Sequence, residues 1–462
     1  MRSLSIAIRE WLLDKIRKSK FVAKTYCYLV VFYCENMAIE RNCYEALTLL
    51  CNAMRRVPDL SVTNKCSLLA EKIIQDKCCS DGTMLPIEQN GLLTDFRKSH
   101  RYSVARGVFA DEPEIDRLHL RHYRQASNAA RQGNIIILKA PGSEVGEKGV
   151  MLLKYSPTFE QFPAIFDIAS VTKEYRLVFE PSWYRNVESS LFLYSGLGIT
   201  NVLQAAQNDD KVILESVTSS IRTVDLGSGD WIDIDEFCPT TNAKIYDVVM
   251  VASWAKFKRH KVLFKSLFEL KKLGKALRVA LIGYPMDMTK DDILDQAKEY
   301  HVDTFCEIFE QIPPSEVARI TSASRMAVHL SKAEGTNKAS YEALLCDVPL
   351  IIYKHNIGFR NNYINASTGV MADDNELAGA IEYVLANADS FSPRKWIVKQ
   401  SGHKNATHKL NQALKEIALE NGEPWTVDIV LKKNGPNFLY ARDDDRMDLE
   451  SAYYDLKTHL HK

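Results

Sequence analysis

The chain has 462 residues, 46% of them hydrophobic, and its 59 Lys and Arg residues are balanced by 59 Asp and Glu. Two or three domains are expected at that length, and the hydrophobic share is that of a globular chain able to bury large cores. The zero net charge excludes general nucleic-acid binding, which needs a basic surface.

Residues 1–125 read as a helical N-terminal extension. Cys43, Ala46, Leu47, Leu50, Cys51 and Met54 recur at helical spacing, and Leu68, Leu69, Ile73 and Ile74 fit a second helix, with Pro58 and Asp59 breaking the two apart. Residues 1–24 interleave Arg2, Arg9, Lys15, Arg17, Lys18, Lys20 and Lys24 with Leu4, Ile6, Ile8, Trp11, Leu12 and Leu13. That pattern suits peripheral contact with an anionic membrane, and equally a solvated helix face packed on the rest of the protein. The longest apolar run, 26–34, falls well short of the ~20 residues a spanning helix needs. Ten cysteines, none in a C-x-x-C pair, and the lack of a secretory signal pattern predict free thiols in a reducing cytoplasm. His119 and His122 stand three apart without further ligands nearby, so zinc is not expected.

From about 126 the pattern changes to short apolar runs alternating with helical stretches. Strands are predicted at 135–138, 176–179, 212–214 and 219–224, giving a Rossmann-like domain over 126–241. The glycine-rich segment 140–149, with Gly142, Gly146 and Gly149, can bring backbone amides close to a ligand. Glu180 directly follows the predicted strand end at Phe179 and precedes Pro181 and Trp183, which makes it a candidate for contact with an acceptor or a reacting sugar. Asp233-Ile234-Asp235 has a D-x-D spacing but stands just ahead of a polar linker at 239–242, and it reads as a turn.

A second series fills 242–386. Strands are predicted at 246–252, 277–282, 303–309, 326–330 and 349–353, and helices at 261–273, 291–299, 314–323, 337–345 and 376–386. This alternation predicts a doubly wound α/β domain, and ligands bind such sheets at the carboxyl ends of the strands. Gly283, at the end of a strand, is a donor-side candidate on that ground. The tail, 387–462, reads as helical and is expected to pack back on the first α/β domain.

The sharpest feature is Glu334-Gly335-Thr336-Asn337-Lys338-Ala339-Ser340-Tyr341-Glu342. Gly335 permits a tight turn, Thr336 or Asn337 can cap the helix that follows, and the amides of its first turn can face an anion. Glu334 ahead of the helix and Glu342 within it can each accept two hydroxyl hydrogen bonds, as a sugar or ribose diol offers.

This E-x7-E element resembles the signature of the retaining glycosyltransferases of family 4. Gln311 to Val317, Val328 to Ser331, Cys346 to Leu350 and the stretch from Thr368 to Ala378 resemble that family in order and spacing, over about 245–386. The resemblance implies an α/β GT-B fold, two doubly wound Rossmann-like domains facing a cleft. It implies that Glu334 contacts donor-sugar hydroxyls, Glu342 holds the ribose, and Gly335, Thr336 and Asn337 sit over sugar and diphosphate. Lys258 and Arg259, with Lys256 behind them, fall where the family places cations for the leaving diphosphate. The family's Gly-Arg-Leu element is absent, with Ser253-Trp254 near its place. Gly142 and its neighbours resemble the loop that covers donor and acceptor. The implied activity is retaining transfer of a hexose-type sugar from a UDP- or GDP-linked donor to a glycan, lipid-linked or other hydroxyl acceptor. Polysaccharide biosynthesis in the cytoplasm or at the inner face of a membrane is the setting it implies. No metal or other cofactor is expected. A nucleotide-sugar epimerase of the same fold and a catalytically silent GT-B scaffold are the alternatives.

Overall fold

The computed structural model describes residues 15–16, 19–57, 59–80, 83–84, 90–107, 134–142, 146–181, 187–240, 243–434 and 438–461. The stretch before Lys15 with Arg17 and Lys18, the histidines 119 and 122, Trp183, the tip 143–145 of the glycine-rich segment, and 241–242 of the linker lie outside them. The chain divides into two compact units, one of Met1–Leu226, Leu410–Val430 and Arg442–Lys462, the other of Gly227–Lys409 and Leu431–Ala441.

The first unit begins with the helices α1 (Lys20–Tyr33), α2 (Cys43–Arg56), α3 (Leu60–Cys78), α4 (Gly91–Arg97) and α5 (His100–Gly107). Asn42 starts α2: its side chain accepts from the Glu45 N–H at 3.0 Å and its amide donates to the Asp95 carbonyl at 2.8 Å. The predicted stripe on α2 is buried throughout, and Ile73 and Ile74 of α3 are buried too, whereas Leu68 is exposed. Cys27, Cys34, Cys43, Cys51, Cys66 and Cys78 are buried free thiols.

The sheet of this unit runs β1 (Ile135–Lys139), β2 (Gly149–Lys154), β3 (Tyr175–Glu180), β4 (Asn201–Gln204), β5 (Ile221–Val224), with neighbours in chain order. All pairs are parallel except β1–β2. Helices α6 (Ser156–Ile165) and α7 (Ile168–Glu174) join β2 to β3, and α8 (Asn208–Val217) joins β4 to β5. The predicted strand 212–214 is part of α8. Its β-branched run conceals a helical stripe, in which Ile213, Leu214 and Val217 are buried and Val212 is exposed. In this sheet two strands, β2 and β4, were not expected.

The glycine-rich segment is the turn of the β1–β2 hairpin, closed by reciprocal backbone bonds between Gly142 and Glu147. The Glu147 carboxylate binds Lys139 and accepts from the Thr426 N–H at 2.8 Å, while the Lys139 ammonium stands 3.5 Å from the Trp425 ring centroid. These contacts clasp the returning segment at 425–426, so the hairpin is tied down by charge and by cation–π attraction.

The second unit carries a six-stranded parallel sheet built from β6 (Tyr246–Val251), β7 (Val279–Gly283), β8 (Cys306–Glu310), β9 (Ser324–His329), β10 (Leu350–Tyr353) and β11 (Gly369–Ala372). Their spatial order is β8-β7-β6-β9-β10-β11, with α9 (His260–Lys272), α10 (Lys290–Glu299), α11 (Pro314–Ser322) and α12 (Lys338–Leu345) as connections and α13 (Leu377–Ala386) following the last strand. One core layer gathers Val248, Met250, Leu263, Leu267 and Leu281, and the other Val249, Ala280, Leu344, Leu350 and Ile352, so alternate strand residues serve opposite faces. Each unit is thus of the α/β class expected, with a helical region before the first. No helix among the described residues is long and apolar enough to cross a membrane.

Trp254 is fully buried beside Gly283, where an added Cβ would come within 2.7 Å of its ring, and its Nε1 donates to Glu310 at 2.7 Å. Trp254→Ala should cost about 3–5 kcal/mol in the second unit, through a large cavity and a carboxylate that loses its partner. A urea midpoint equal to that of the parent chain would contradict this packing.

Candidate functional site

A pocket of about 530 Å³ opens in the second unit at the carboxyl ends of β6, β7 and β8 and at the start of α12. The sheet order makes the gap between β6 and β9 a topological switch point, where connections leave toward opposite faces and a crevice forms. Ser253, Lys258, Gly283, Glu334, Thr336 and Glu342 are among its lining residues.

Asn337 organises the floor. Its backbone is extended, its Oδ1 accepts the Ser340 N–H at 2.8 Å as the N-cap of α12, and its Nδ2 donates to Glu334 Oε2 at 3.2 Å. The same Nδ2 lies 2.7 Å from Nδ1 of His329, the last residue of β9. Glu334 Oε1 receives the Lys258 ammonium at 2.6 Å and stands 3.6 Å from His329 Nε2. Burial opposes ionisation of Glu334, yet His329 and Lys258 hold its carboxyl below the usual value. Burial pushes the His329 imidazole down to about 4, with Glu334 acting the other way, so it is neutral near pH 7.

Lys258 closes a single 3-10 turn, Lys256–Lys258, and Arg259 then takes a left-handed backbone at φ 65° before α9 begins. This reversal sends the neighbouring cations to different places. Lys258 lines the pocket; Lys256 and Arg259 do not. Arg259 donates to the Leu330 carbonyl at 2.8 Å, pairs with Asp374 and stacks 4.7 Å from the Tyr353 ring centroid, which makes it a tie between loops. The Lys256 N–H donates to Asp287 at 3.2 Å.

Gly335 lies where two loops touch. A Cβ on Gly358, whose φ is +115°, would fall 2.3 Å from the Gly335 carbonyl oxygen, and the Glu334 N–H donates to the Ile357 carbonyl at 2.9 Å. Gly283 lines the pocket, and its missing side chain leaves room for the Ala252 carbonyl and Trp254. Glu180 and Gly142 belong to the first unit. Glu180 is buried, with Lys154 Nζ at 3.6 Å and Gln204 Nε2 at 3.5 Å; Gly142 is in the hairpin turn. His329 and Asn356 are the residues that the motif did not single out. Asn356 donates to the Ser331 carbonyl at 2.7 Å and accepts the Phe359 N–H at 3.1 Å, bracing the loop behind Glu334. Position offers a signal for His329, since a polar residue ending a parallel strand faces the crevice.

The D-x-D segment is a turn. Asp233 accepts from the Asp235 N–H at 2.9 Å and pairs with Lys433 at 2.8 Å, while Asp235 pairs with Lys404 at 3.0 Å. His403 joins these carboxylates within 4.8 Å, but its Nδ1 faces the Ile234 N–H and two ammonium groups already neutralise the acids.

Glu342 is half-buried at the pocket edge. Burial, against Lys338 and with Glu236, raises its carboxyl from 4.5 to about 7. A raised folded-state value means that the native chain holds a proton which the unfolded chain has lost across that interval. Stability therefore falls as pH rises from 4.5 to 7, by at most about 3 kcal/mol. Glu342→Gln should melt higher than the parent at pH 8, with the difference shrinking toward pH 4.5. A difference that does not change with pH would refute this assignment.

No curated protein matches the chain in sequence. Solved structures that resemble it include TarM of S. aureus, as a G117R mutant with fondaparinux, alpha-GlcNAc-glycerol and UDP, at 14% identity and TM-score 0.45 over 57% of this chain and 54% of that one. Anabaena HepE in complex with UDP overlaps at 13% identity and TM-score 0.46, over 57% and 78% of the respective chains. Sucrose-phosphate synthase of Thermosynechococcus elongatus overlaps at 15% and 0.46, over 59% and 74%. The chain thus spans about half the length of TarM. Residues 235–405, which contain the whole pocket, match the family profile described as "Glycosyl transferases group 1".

Proposed function

We propose that the chain is a glycosyltransferase whose nucleoside-diphosphate-sugar donor binds in the pocket of the second unit. The observation that carries this reading is the convergence of Glu334, Lys258 and Glu342 on one pocket at a strand switch point, within a segment that matches a glycosyltransferase profile. An ammonium group there suits a diphosphate, and the two carboxylates suit diols at either end of it. A volume of about 530 Å³ is of the size that small-ligand sites occupy.

On this reading the donor divides the Lys258–Glu334 pair. The diphosphate takes the ammonium, the sugar hydroxyls take the Glu334 carboxylate, and Glu342 accepts from the ribose. An acceptor hydroxyl attacks the anomeric carbon as the bond to the diphosphate oxygen breaks. The hydroxyl proton passes to the departing phosphate, and the configuration is retained. Lys258 stabilises the charge that grows on the leaving oxygen, an effect larger in the transition state than before it. The E-x7-E resemblance supports retention, a hexose-type sugar and a metal-independent route. UDP- and GDP-linked sugars are the donors to test, with glycans and lipid-linked alcohols as acceptors. Glu180, held by Lys154, remains our candidate on the acceptor side, and Gly142 a candidate for the covering loop.

Lys258→Ala should lower kcat about 10²- to 10³-fold, as loss of one donor to a developing anion does elsewhere. Arg259→Ala should act mainly by loosening the loop that contains Leu330, and Lys256→Ala should leave kcat within a few-fold of the parent. Donor affinity, read by calorimetry with an intact nucleotide sugar, should rise from pH 6 to pH 8 as Glu342 ionises, and lose that slope in Glu342→Gln. Lys258→Ala transferring at the parent rate, or no stabilisation of the chain by any nucleotide sugar, would sink the proposal.

A further inference from the structure

Helix α1 is apolar nearly all the way round. Ala23, Cys27 and Val31 are buried on one side. On the other side Phe21, Tyr28, Leu29, Phe32 and Tyr33 stand between 46% and 79% exposed, and Leu68 of α3 adds a further exposed side chain. A stripe of large apolar groups this long is rarely left to water on a monomer. Its fringe is basic. Lys24 stands near its start, the Lys65 ammonium lies 5.9 Å from the Tyr28 ring centroid, and no Asp or Glu occurs between Ser19 and Cys34, while Lys20 pairs with Asp59 at 2.9 Å.

We propose that this face of α1 is a docking surface for an anionic lipid bilayer, with the helix lying in the headgroup plane. Phenylalanine and leucine enter the acyl boundary, the tyrosine rings stay at the level of the headgroups, and the lysine ammonium groups reach lipid phosphates. Charge selects this occupant, because a neutral hydrophobic partner has no use for cations at the stripe's edge. The residues that precede it, with Arg2, Arg9, Lys15, Arg17 and Lys18 against Glu10 and Asp14, keep a positive balance of the same sign. A helix that lies on the surface also fits a chain in which no described helix is long and apolar enough to cross a membrane. The inference concerns the first unit alone and stands whether or not the second unit transfers sugars.

The test is flotation of the full chain with phosphatidylcholine vesicles, with and without phosphatidylglycerol. The parent should float with the anionic vesicles and release at about 1 M salt, where the Debye length shrinks to ~3 Å. The triple variant Phe21→Ser, Leu29→Ser, Phe32→Ser should partition at least about tenfold less while melting at the parent temperature, since these side chains are exposed. Lys24→Glu with Lys65→Glu should abolish the preference for phosphatidylglycerol. Failure of the parent to float with anionic vesicles at low salt would overturn the proposal, as would undiminished flotation of the triple variant. A dimer in sedimentation that dissociates in the triple variant would assign the face to a second copy instead.

Discussion

The side-chain amide of Asn337 joins a helix to the loop that holds the acidic group of the site. Its oxygen caps α12 while its nitrogen reaches Glu334 and lies against His329. Without it the helix would lose about 1 kcal/mol of capping, and Glu334 would lose the contact at Oε2 that leaves Oε1 facing Lys258. The start of α12 and the rotamer of Lys258 are therefore set together. Beside it, Gly358 lets the adjoining loop approach the Gly335 carbonyl.

The electrostatics of the pocket pull its titratable groups apart. His329 is held neutral, Glu334 ionised, and Glu342 near the midpoint of its titration around neutrality. Lys258 and Glu334 cancel each other locally, so a cation can be kept pointing into the pocket without an unpaired buried charge. Such an arrangement fixes dipoles before a ligand arrives, which is the condition for stabilising charge that develops only during reaction. Glu342 is the opposite case: burial makes its charge costly, and a ligand that hydrogen-bonds to the carboxylate would relieve the cost.

Much of the second unit was legible because its sequence obeys two simple periodicities. Continuous apolar runs between capped helices gave β6, β7, β9 and β10 to within a few residues, and Asn337 announced α12 by its capping chemistry. The first unit was harder to read. Strand β2 follows directly on a glycine-rich segment that the family resemblance had claimed as a loop, and the run at 212–214 has a composition that strands and helices share. Within the site, the sequence could list Lys256, Lys258 and Arg259 but could not distinguish them. The left-handed residue at Arg259 decides which cation faces the pocket, and nothing in a run of basic residues marks that turn. His329 escaped for a related reason, since its role comes from distance to Asn337 and not from a motif.

The order in which the two units share the chain has a consequence for biosynthesis. The second unit is completed by Leu431–Ala441, where the Lys432 ammonium lies 3.9 Å over the Trp231 ring and Lys433 binds Asp233 at 2.8 Å. The first unit needs Leu410–Val430 and Arg442–Lys462, made on either side of that segment. On the ribosome, neither half can reach its final set of contacts while residues near 430–440 are still in the exit tunnel. A nascent chain paused at residue 409 would hold two unfinished cores, and fragments cut at that point would inherit the same defect.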